Sequence, residues 1–185
     1  FIPVGVVGAR GYSGIELVRL LLKHPHVSLE ACFATTAFNL GDLLPEKSAQ
    51  NLRGLPMSDL LPMAQAGKFK VLFLATPVEV SADLAPKLLE TGISVIDLSG
   101  AFRLSEGDVK ASYQTWYKID HQTPNLVKAS RYGLTSWKTS VEKSKESPEN
   151  LVANPGCFAT AVIMGLLPLL NENLIDPKTI VIDAK

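Results

Sequence analysis

The chain has 185 residues with 18 basic and 18 acidic side chains, so its formal net charge is zero, and 46% of its residues are hydrophobic. This composition excludes an intrinsically disordered chain, which has few hydrophobic residues and a large net charge. It also excludes an electrostatic nucleic-acid binder, which needs an excess of Lys and Arg.

The length corresponds to one full domain and part of another, at about 150 residues per domain. No hydrophobic run reaches the roughly 20 residues that cross a bilayer, and Phe1-Ile2-Pro3 lacks the basic flank of a signal peptide. Two cysteines, Cys32 and Cys157, are too few for a disulfide scaffold or a cysteine zinc site. We therefore expect a cytoplasmic protein with neither a membrane partner nor a metal.

The first 34 residues predict a strand, a helix and a second strand. The segment Val4-Gly5-Val6-Val7 is short and β-branched, and hydrophobic side chains then recur with helical spacing over residues 15–22. His24-Pro25 ends this helix, and residues 27–34 form the next strand. A strand-helix-strand unit of this kind implies a parallel sheet.

Strands and helices continue to alternate. Residues 71–74 and 95–97 predict buried strands, separated by a helix over about residues 78–90 that stops before Gly92. Uninterrupted hydrophobic strands are typical of a parallel sheet covered by helices on both faces. The sequence thus predicts a Rossmann-type, doubly wound α/β domain over residues 1–153.

Two long segments give no clear periodicity. We interpret residues 39–66 as irregular, and residues 103–151 as a polar connection with scattered aromatic residues. Within the second segment, the charged run over residues 142–149 is predicted to be a solvated loop.

A second domain is predicted to begin at residue 154. The turn Asn154-Pro155-Gly156 precedes a hydrophobic helix from Phe158 to about Leu170 and a strand at residues 180–182. One helix and one strand cannot bury their hydrophobic faces alone. We therefore expect residues 154–185 to be the start of an α+β domain that is incomplete here.

The turn after the first strand has the spacing Gly-x-x-Gly-x-x-Gly. Glycines at such a turn let the backbone approach a pyrophosphate, and the helix that follows attracts negative charge. Spaced glycines alone also fit an ordinary turn, but their place between a strand and a helix favours a dinucleotide site. The cofactor-binding residues predicted here are Gly8, Arg10, Gly11, Tyr12, Ser13 and Gly14.

The end of the second predicted strand indicates which dinucleotide binds. Enzymes that use NAD usually place a carboxylate there for the ribose 2′-hydroxyl, whereas this chain has Thr35 and Thr36. Hydroxyl side chains leave room for a 2′-phosphate, and Arg10 supplies a positive charge. We therefore predict NADP as the cofactor, against the alternative that the threonines only end the strand.

Cys157 lies at the start of the last predicted helix. A helix N-terminus stabilises a thiolate, so this position favours a nucleophile over the usual reading of a free cysteine as a small buried hydrophobe. With a nicotinamide cofactor, a nucleophilic thiol suits the reduction of an acyl phosphate through a thioester. Asn154 is either an oxyanion donor for this chemistry or a turn residue, and the sequence supports both interpretations equally.

The chain resembles the N-acetyl-γ-glutamyl-phosphate reductase family, and the resemblance covers nearly its whole length. It rests on the glycine turn with its strand, on Leu74-Ala75-Thr76-Pro77, on the stretch from Val95 to Leu104, on Asn154-Pro155-Gly156-Cys157 and on Val181-Ile182-Asp183-Ala184-Lys185. The Asn-Pro-Gly-Cys motif separates it from aspartate-semialdehyde dehydrogenases, in which an asparagine usually directly precedes the cysteine.

The resemblance implies NADPH-dependent reduction of N-acetyl-L-glutamyl 5-phosphate to the 5-semialdehyde in arginine biosynthesis. It implies that Cys157 carries the acyl group and that Thr76, Pro77 and Ser99 bind cofactor. It also implies that Arg103 binds the substrate phosphate, although an ordinary ion pair suits that arginine as well. The resemblance also implies a homo-oligomer, either a tetramer or a dimer.

Two features depart from the family pattern. Thr135-Ser136-Trp137 stands where the family commonly has proline and glutamate, and the family's acid-base histidine corresponds to a position after residue 185. His121 is a poor substitute for it, and His24 and His26 are expected to be exposed. For this reason the 185-residue chain alone is expected to bind NADP weakly and to turn over little substrate.

Other functions remain open on the residues alone. A related reductase of aspartyl phosphate or of a carrier-linked aminoadipyl phosphate would share the fold and the cysteine chemistry. An NADP-binding redox sensor with Cys157 as its oxidisable thiol belongs to a different functional class.

Overall fold

A computed structural model describes residues 1–50, 52–134 and 150–184 as one mixed sheet with helices on its faces. The strands are β1 (Ile2–Val7), β2 (Val27–Ala34), β3 (Phe38–Asn39), β4 (Arg53–Pro56), β5 (Val71–Leu74), β6 (Ser94–Asp97), β7 (Arg131–Tyr132) and β8 (Leu151–Ala153). The helices are α1 (Tyr12–Leu21), α2 (Leu60–Gln65), α3 (Val78–Leu89), α4 (Val109–Trp116), α5 (Pro124–Ala129) and α6 (Cys157–Asn171).

The sheet has the strand order β3-β4-β2-β1-β5-β6-β8-β7. Every described pairing is parallel except that of β3 with β4. The chain moves outward from β1 to β2, then returns to the other side of β1 with β5 and β6. The order therefore reverses between β1 and β5, and open α/β sheets bind ligands at such a switch point.

Side chains from alternate strand positions fill two cores, one on each face of the sheet. Val6 and Cys32 lie on the α1 side, whereas Val7 and Phe33 lie on the side of α2 and α3. The alternation explains why these strands are hydrophobic at successive positions: both faces are covered. The predicted doubly wound fold is confirmed.

The helices predicted over residues 15–22 and about residues 78–90 are confirmed as α1 and α3. In α1, Val18 and Leu21 are buried, and the helix ends before the exposed His24 and Pro25. α3 ends at Leu89, three residues before Gly92, whose φ of +80° suits a glycine.

Residues 39–66 are not wholly irregular, as the sequence predicted, because they contain β4 and α2. The sequence of β4, Arg-Gly-Leu-Pro, has no strand periodicity of its own, and pairing with β2 imposes its extended conformation. α2 is six residues long and buries only Leu60 and Ala64, one helical turn apart. So short an element gives too few periodic positions to be recognised.

The prediction of a polar connection over residues 103–151 is also wrong in part, because α4, α5 and β7 lie within it. Tyr113 of α4 is fully buried, and its hydroxyl donates to the carbonyl oxygen of Gly100 at 2.9 Å and accepts from the amide of Arg103 at 2.9 Å. Burial raises the pKa of this phenol to about 12. The aromatic residues thus include core side chains as well as exposed ones such as Trp116. The charged run at residues 142–149 and Thr135-Ser136-Trp137 lie outside the described residues.

The last predicted strand, at residues 180–182, is not formed. A strand needs a neighbour for its backbone hydrogen bonds, and no described strand pairs with this segment. α6 begins at Cys157, one residue before the predicted start, and none of its residues is buried; Phe158 is 61% and Met164 54% exposed. Among the described residues, no helix is long and hydrophobic enough to cross a membrane.

His121 anchors the connection between α4 and α5 to the core. Its side chain is 1% exposed, and it contacts the rings of Phe102 and Tyr113. Nε2 lies 2.8 Å from the carbonyl oxygen of Ala101, and Nδ1 accepts from the amide of Thr123 at 3.3 Å. A carbonyl can only accept, so Nε2 carries the proton and the neutral ring has both nitrogens bonded. Burial lowers the pKa of this imidazole.

The neutral state of His121 predicts acid-sensitive stability. Below the ordinary histidine pKa of about 6.5, the unfolded chain takes up a proton here that the folded chain resists. The free energy of unfolding should therefore fall as pH drops below that value, by at most about 1.4 kcal/mol per pH unit for this group. Urea unfolding between pH 5 and 7 measures it. A His121→Gln variant should show a shallower pH slope than the parent protein, and equal slopes in the two proteins would contradict the assignment.

Candidate active site

A cavity of about 540 Å³ opens at the carboxyl edge of the sheet, beside the switch point between β1 and β5. This volume lies within the range of pockets that hold small ligands and cofactors. The loops that follow β1, β2 and β5 supply most of the wall. The residues that line it are Gly8, Arg10, Gly11, Ala34, Thr35, Met57, Ala75, Thr76, Pro77 and Val80.

The glycines of the first loop differ in how much space surrounds each of them. Gly8 has a φ of +83°, and a Cβ there would lie 2.2 Å from the carbonyl oxygen of Ala75. A Cβ on Gly14 would lie 2.2 Å from the carbonyl oxygen of Gly8. A Cβ on Gly11, by contrast, would meet nothing closer than 3.4 Å, and its φ is −73°. Gly8 and Gly14 are required by the fold, whereas the space at Gly11 is open for a ligand.

The N-terminus of α1 points its backbone amides toward this loop. Gly11 is its N-cap, no side chain caps the helix, and its first turn contains no acidic residue. The first amides of a helix have no partner within the helix, and together with the helix dipole they attract an anion. Tyr12 and Ser13 in this turn are exposed. The loop thus has the geometry and charge that a pyrophosphate requires.

The end of β2 has hydroxyl side chains where an NAD site would have a carboxylate. Thr35 and Thr36 are exposed, and Thr35 lines the cavity together with Arg10. The guanidinium carbon of Arg10 lies 5.9 Å from the centre of the Phe38 ring. A positive charge and a hydroxyl beside the same cavity match the chemistry of a phosphate on the ribose.

The loop after β5 forms the opposite wall. The hydroxyl of Thr76 lies 2.7 Å from that of Ser81 in α3, which fixes its side chain against that helix. Pro77 is the N-cap of α3 and has no amide hydrogen to donate. Both residues line the cavity.

The loop after β6 is organised by the buried carboxyl group of Asp97. One carboxylate oxygen accepts from the amide of Ser99 at 3.0 Å and the other accepts from its hydroxyl at 2.8 Å. The Ser99 hydroxyl also accepts from the amide of Ala101 at 3.0 Å. Burial raises the pKa of Asp97 despite these bonds. Ser99 therefore supports the loop with its hydroxyl and does not line the cavity.

Arg103 ties this loop to the turn before Cys157. Its Nη2 donates to the carbonyl oxygen of Leu98 at 2.6 Å, and its Nε donates to that of Asn154 at 2.8 Å. A Cβ on Gly156 would lie 2.9 Å from Nη1, so the guanidinium lies directly against the turn. The two interpretations of Arg103 from the sequence were a ligand of the substrate phosphate and an ordinary ion pair. Neither includes these bonds to two backbone carbonyl oxygens.

Asn154 is held by both its backbone and its side chain. Its amide donates to the carbonyl oxygen of Asp97 at 2.8 Å, which extends the pairing of β8 with β6. Its side-chain nitrogen donates to the carbonyl oxygen of Pro155 at 3.0 Å. This second bond uses one of the two hydrogens of the side-chain amide.

The two cysteines lie in opposite environments. Cys157 is exposed as the first residue of α6, with Gly156 as the N-cap and no acidic side chain in the first turn. Cys32 is 3% exposed within β2, and burial raises the pKa of its thiol to about 12. A buried thiol with a raised pKa is a poor nucleophile, so Cys32 is unsuited to attack a substrate, whereas the Cys157 thiol is accessible to one.

The cavity brings together six of the residues expected to bind cofactor: Gly8, Arg10, Gly11, Thr35, Thr76 and Pro77. Tyr12, Ser13, Gly14, Thr36, Ser99, Asn154, Arg103 and Cys157 do not line it. The other four residues of its wall, Ala34, Met57, Ala75 and Val80, were not predicted to bind cofactor, and Met57 falls in the segment that gave no periodicity. In the described ranges, no three His, Cys, Asp or Glu side chains are grouped to hold a metal ion.

Comparisons with known proteins agree with this geometry. The family model described as semialdehyde dehydrogenase, NAD binding domain, matches residues 3–177. An N-acetyl-gamma-glutamyl-phosphate reductase of Brevibacillus brevis is 42% identical over 187 residues, covering 100% of this chain and 51% of the relative. A relative with the same name in Halalkalibacterium halodurans is 41% identical, covering 98% of this chain and 51% of its own. The chain thus spans about half the length of these curated relatives.

A solved structure gives the same fold. Aspartate semialdehyde dehydrogenase with NADP from Candida albicans is similar with a TM-score of 0.61 and 18% identity, over 92% of this chain and 47% of that one. At this identity the likeness concerns the fold alone.

The difference between Gly11 and Gly14 is testable by substitution with alanine. Gly11→Ala should change the free energy of unfolding by less than about 1 kcal/mol, as expected at an N-cap. It should nevertheless weaken dinucleotide binding by roughly tenfold or more, since the methyl group fills space beside the phosphate site. Gly14→Ala should destabilise the fold by about 1–3 kcal/mol through the clash with Gly8. Calorimetric titration and urea unfolding measure the two effects, and a Gly11→Ala protein with parent affinity would refute the site.

The two carbonyl contacts of Arg103 predict a stability effect that a surface arginine lacks. Arg103→Lys should lower the free energy of unfolding by about 1–3 kcal/mol, because an ammonium group cannot reproduce the guanidinium fork. Arg53→Lys, at an exposed arginine of β4, is the matched control and should change stability little. Equal stabilities of the two variants in urea unfolding would mean that Arg103 does not hold the turn.

Proposed function

We propose that this chain, which belongs to the semialdehyde dehydrogenase NAD-binding domain family, is the cofactor-binding part of an NADPH-dependent N-acetyl-γ-glutamyl-phosphate reductase. The observation that carries the proposal is the position of Cys157. It is an exposed thiol at a helix N-terminus, and it follows β8 at the same carboxyl edge of the sheet as the cavity. The names of the relatives that match the whole chain support the substrate.

The residues around the cavity would hold NADP. The amides at the start of α1 and the open space at Gly11 suit the pyrophosphate, and Arg10 with Thr35 suits a ribose 2′-phosphate. Thr76 and Pro77 would line the opposite side. When bound, NADPH supplies the hydride that reduces the acyl group.

Cys157 would act as the nucleophile. Its thiolate attacks the acyl carbon of N-acetyl-L-glutamyl 5-phosphate, the bond from that carbon to the phosphate oxygen breaks, and inorganic phosphate leaves. The product of this step is a thioester on Cys157. After hydride reaches the thioester carbon, the carbon–sulfur bond breaks, which releases N-acetyl-L-glutamate 5-semialdehyde and regenerates the thiolate.

The turn before Cys157 would stabilise the oxyanions of both steps. The amide of Cys157 and the remaining side-chain hydrogen of Asn154 are the proposed donors. Arg103 would contribute positive charge beside the substrate phosphate, since Nη1 lies against Gly156. Ser99 would act through the loop after β6, because its hydroxyl is bonded to Asp97 and to the amide of Ala101.

The exposed α6 supports the proposed boundary between a cofactor domain over residues 1–153 and a second domain from residue 154. A helix of 15 residues in which Phe158 and Met164 are more than half exposed needs a covering surface. We assign that surface to the part of the relatives that this chain does not span. The proposal also includes assembly as a homo-oligomer, either a dimer or a tetramer. It includes a cytoplasmic location, in which the free Cys157 thiol stays reduced.

The nucleophile is tested by exchanging each cysteine in the natural full-length polypeptide. Cys157→Ser should reduce turnover to background, because a serine hydroxyl is not ionised at neutral pH. Cys32→Ala is the matched control and should retain activity, since Cys32 is buried in the core. Iodoacetamide should label Cys157 in the folded protein and Cys32 only after unfolding. Labelling of Cys32 first, or activity that survives Cys157→Ser, would overturn the assignment.

The substrate is tested by running the reaction backwards with the same protein. Reduction of NADP⁺ should depend on phosphate and proceed with N-acetylglutamate semialdehyde, but not with aspartate semialdehyde. Activity with the aspartyl compound alone would replace the proposed substrate with that of a related reductase. Cysteine labelling without activity on either aldehyde would favour a thiol-based sensor.

A further inference from the structure

We propose that Phe38 is a positioning residue that holds Arg10 over the cofactor cavity and thereby sets the preference for NADP over NAD. The inference rests on the cofactor site proposed above. It begins with the 5.9 Å separation between the guanidinium carbon of Arg10 and the centre of the Phe38 ring. A guanidinium at this distance from an aromatic face is attracted by the ring electrons.

The Phe38 ring has a defined place because of the edge of the sheet. Phe38 is in β3, which pairs antiparallel with β4 so that Phe38 lies opposite Gly54. A Cβ on Gly54 would lie only 1.9 Å from the ring, so the ring fills the space that the glycine leaves. Phe38 also packs against the core on the α1 side. The ring is therefore a fixed surface on which the flexible Arg10 side chain can rest.

Arg10 needs such a surface because it is exposed. An arginine side chain in water populates many rotamers, and ordering it on an anion costs conformational entropy. Contact with Phe38 restricts these rotamers before the ligand binds. Arg10 lines the cavity beside Thr35, where a ribose 2′-phosphate would lie. The ring thus lowers the cost of binding that phosphate without touching it.

The expected effect is selective for the 2′-phosphate. NAD has a hydroxyl where NADP has the phosphate, so it gains nothing from an ordered guanidinium. Phe38→Leu should weaken NADP⁺ binding by about two- to fivefold, the range of a cation–π contact at an exposed site, and leave NAD⁺ binding unchanged. Phe38→Tyr keeps the aromatic face and should keep the ratio of the two dissociation constants.

A double-mutant cycle tests whether Phe38 acts through Arg10. Dissociation constants for NADP⁺ and NAD⁺ are measured by calorimetry on the natural full-length polypeptide, its Phe38→Leu and Arg10→Ala variants, and the double variant. Arg10→Ala should reduce the preference for NADP⁺, and adding Phe38→Leu to it should produce no further loss.

Each outcome of the cycle has a separate meaning. If Arg10→Ala leaves the ratio unchanged, Arg10 does not recognise the 2′-phosphate and the proposed basis of NADP binding fails. If Arg10→Ala lowers the ratio but Phe38→Leu does not, the positioning role of Phe38 is overturned and the cofactor site stands. The role is also overturned if Phe38→Leu weakens the binding of both dinucleotides equally. It is overturned as well if Phe38→Leu weakens NADP⁺ binding as strongly in the Arg10→Ala background as in the parent protein. Either result indicates general disruption of the sheet edge formed by β3 and β4.

Discussion

The close backbone contact between the loops after β1 and β5 is the constraint on which the cavity depends. Gly8 lies against the carbonyl group of Ala75, and Gly14 lies against the carbonyl group of Gly8, at distances that no side chain would permit. These contacts hold the N-terminus of α1 at the switch point of the sheet. The helix amides, the loop of β5 and the end of β2 then face one space because the strands between them are parallel.

Most of the central sheet could be predicted from the sequence because its strands are covered on both faces. β1, β2, β5 and β6 each contain successive hydrophobic residues between turn residues, so local pattern and tertiary environment agree. β4 and α4 could not be predicted in this way. The conformation of β4 comes from pairing with β2. The buried residues of α4 are Val109 and Tyr113, and the Tyr113 hydroxyl bonds to Gly100 in the loop after β6. Tertiary contacts decide such elements, and a local pattern does not contain them.

The candidate site shows the same division between local and distant information. The glycine spacing, Thr35 and the position of Cys157 are visible in the sequence, since each belongs to a turn whose chemistry is local. Sequence patterns could not reveal that Arg103 bonds two carbonyl groups 56 residues apart along the chain, those of Leu98 and Asn154. Nor could they reveal that Phe38 lies beside Arg10, because the pairing of β3 with β4 fixes the place of that ring.

The sheet ends on each side in a strand of two residues, β3 at one edge and β7 at the other, within the part of the chain that the structure describes. An exposed edge strand offers unpaired amide and carbonyl groups to other polypeptides, and short edge strands reduce this opportunity. Because β3 and β7 each have only two residues, neither edge is a good template for the addition of a further strand. The sheet is therefore protected against lateral growth into β-aggregates, a safeguard of value for an α/β fold whose parallel strands must come together from distant parts of the sequence.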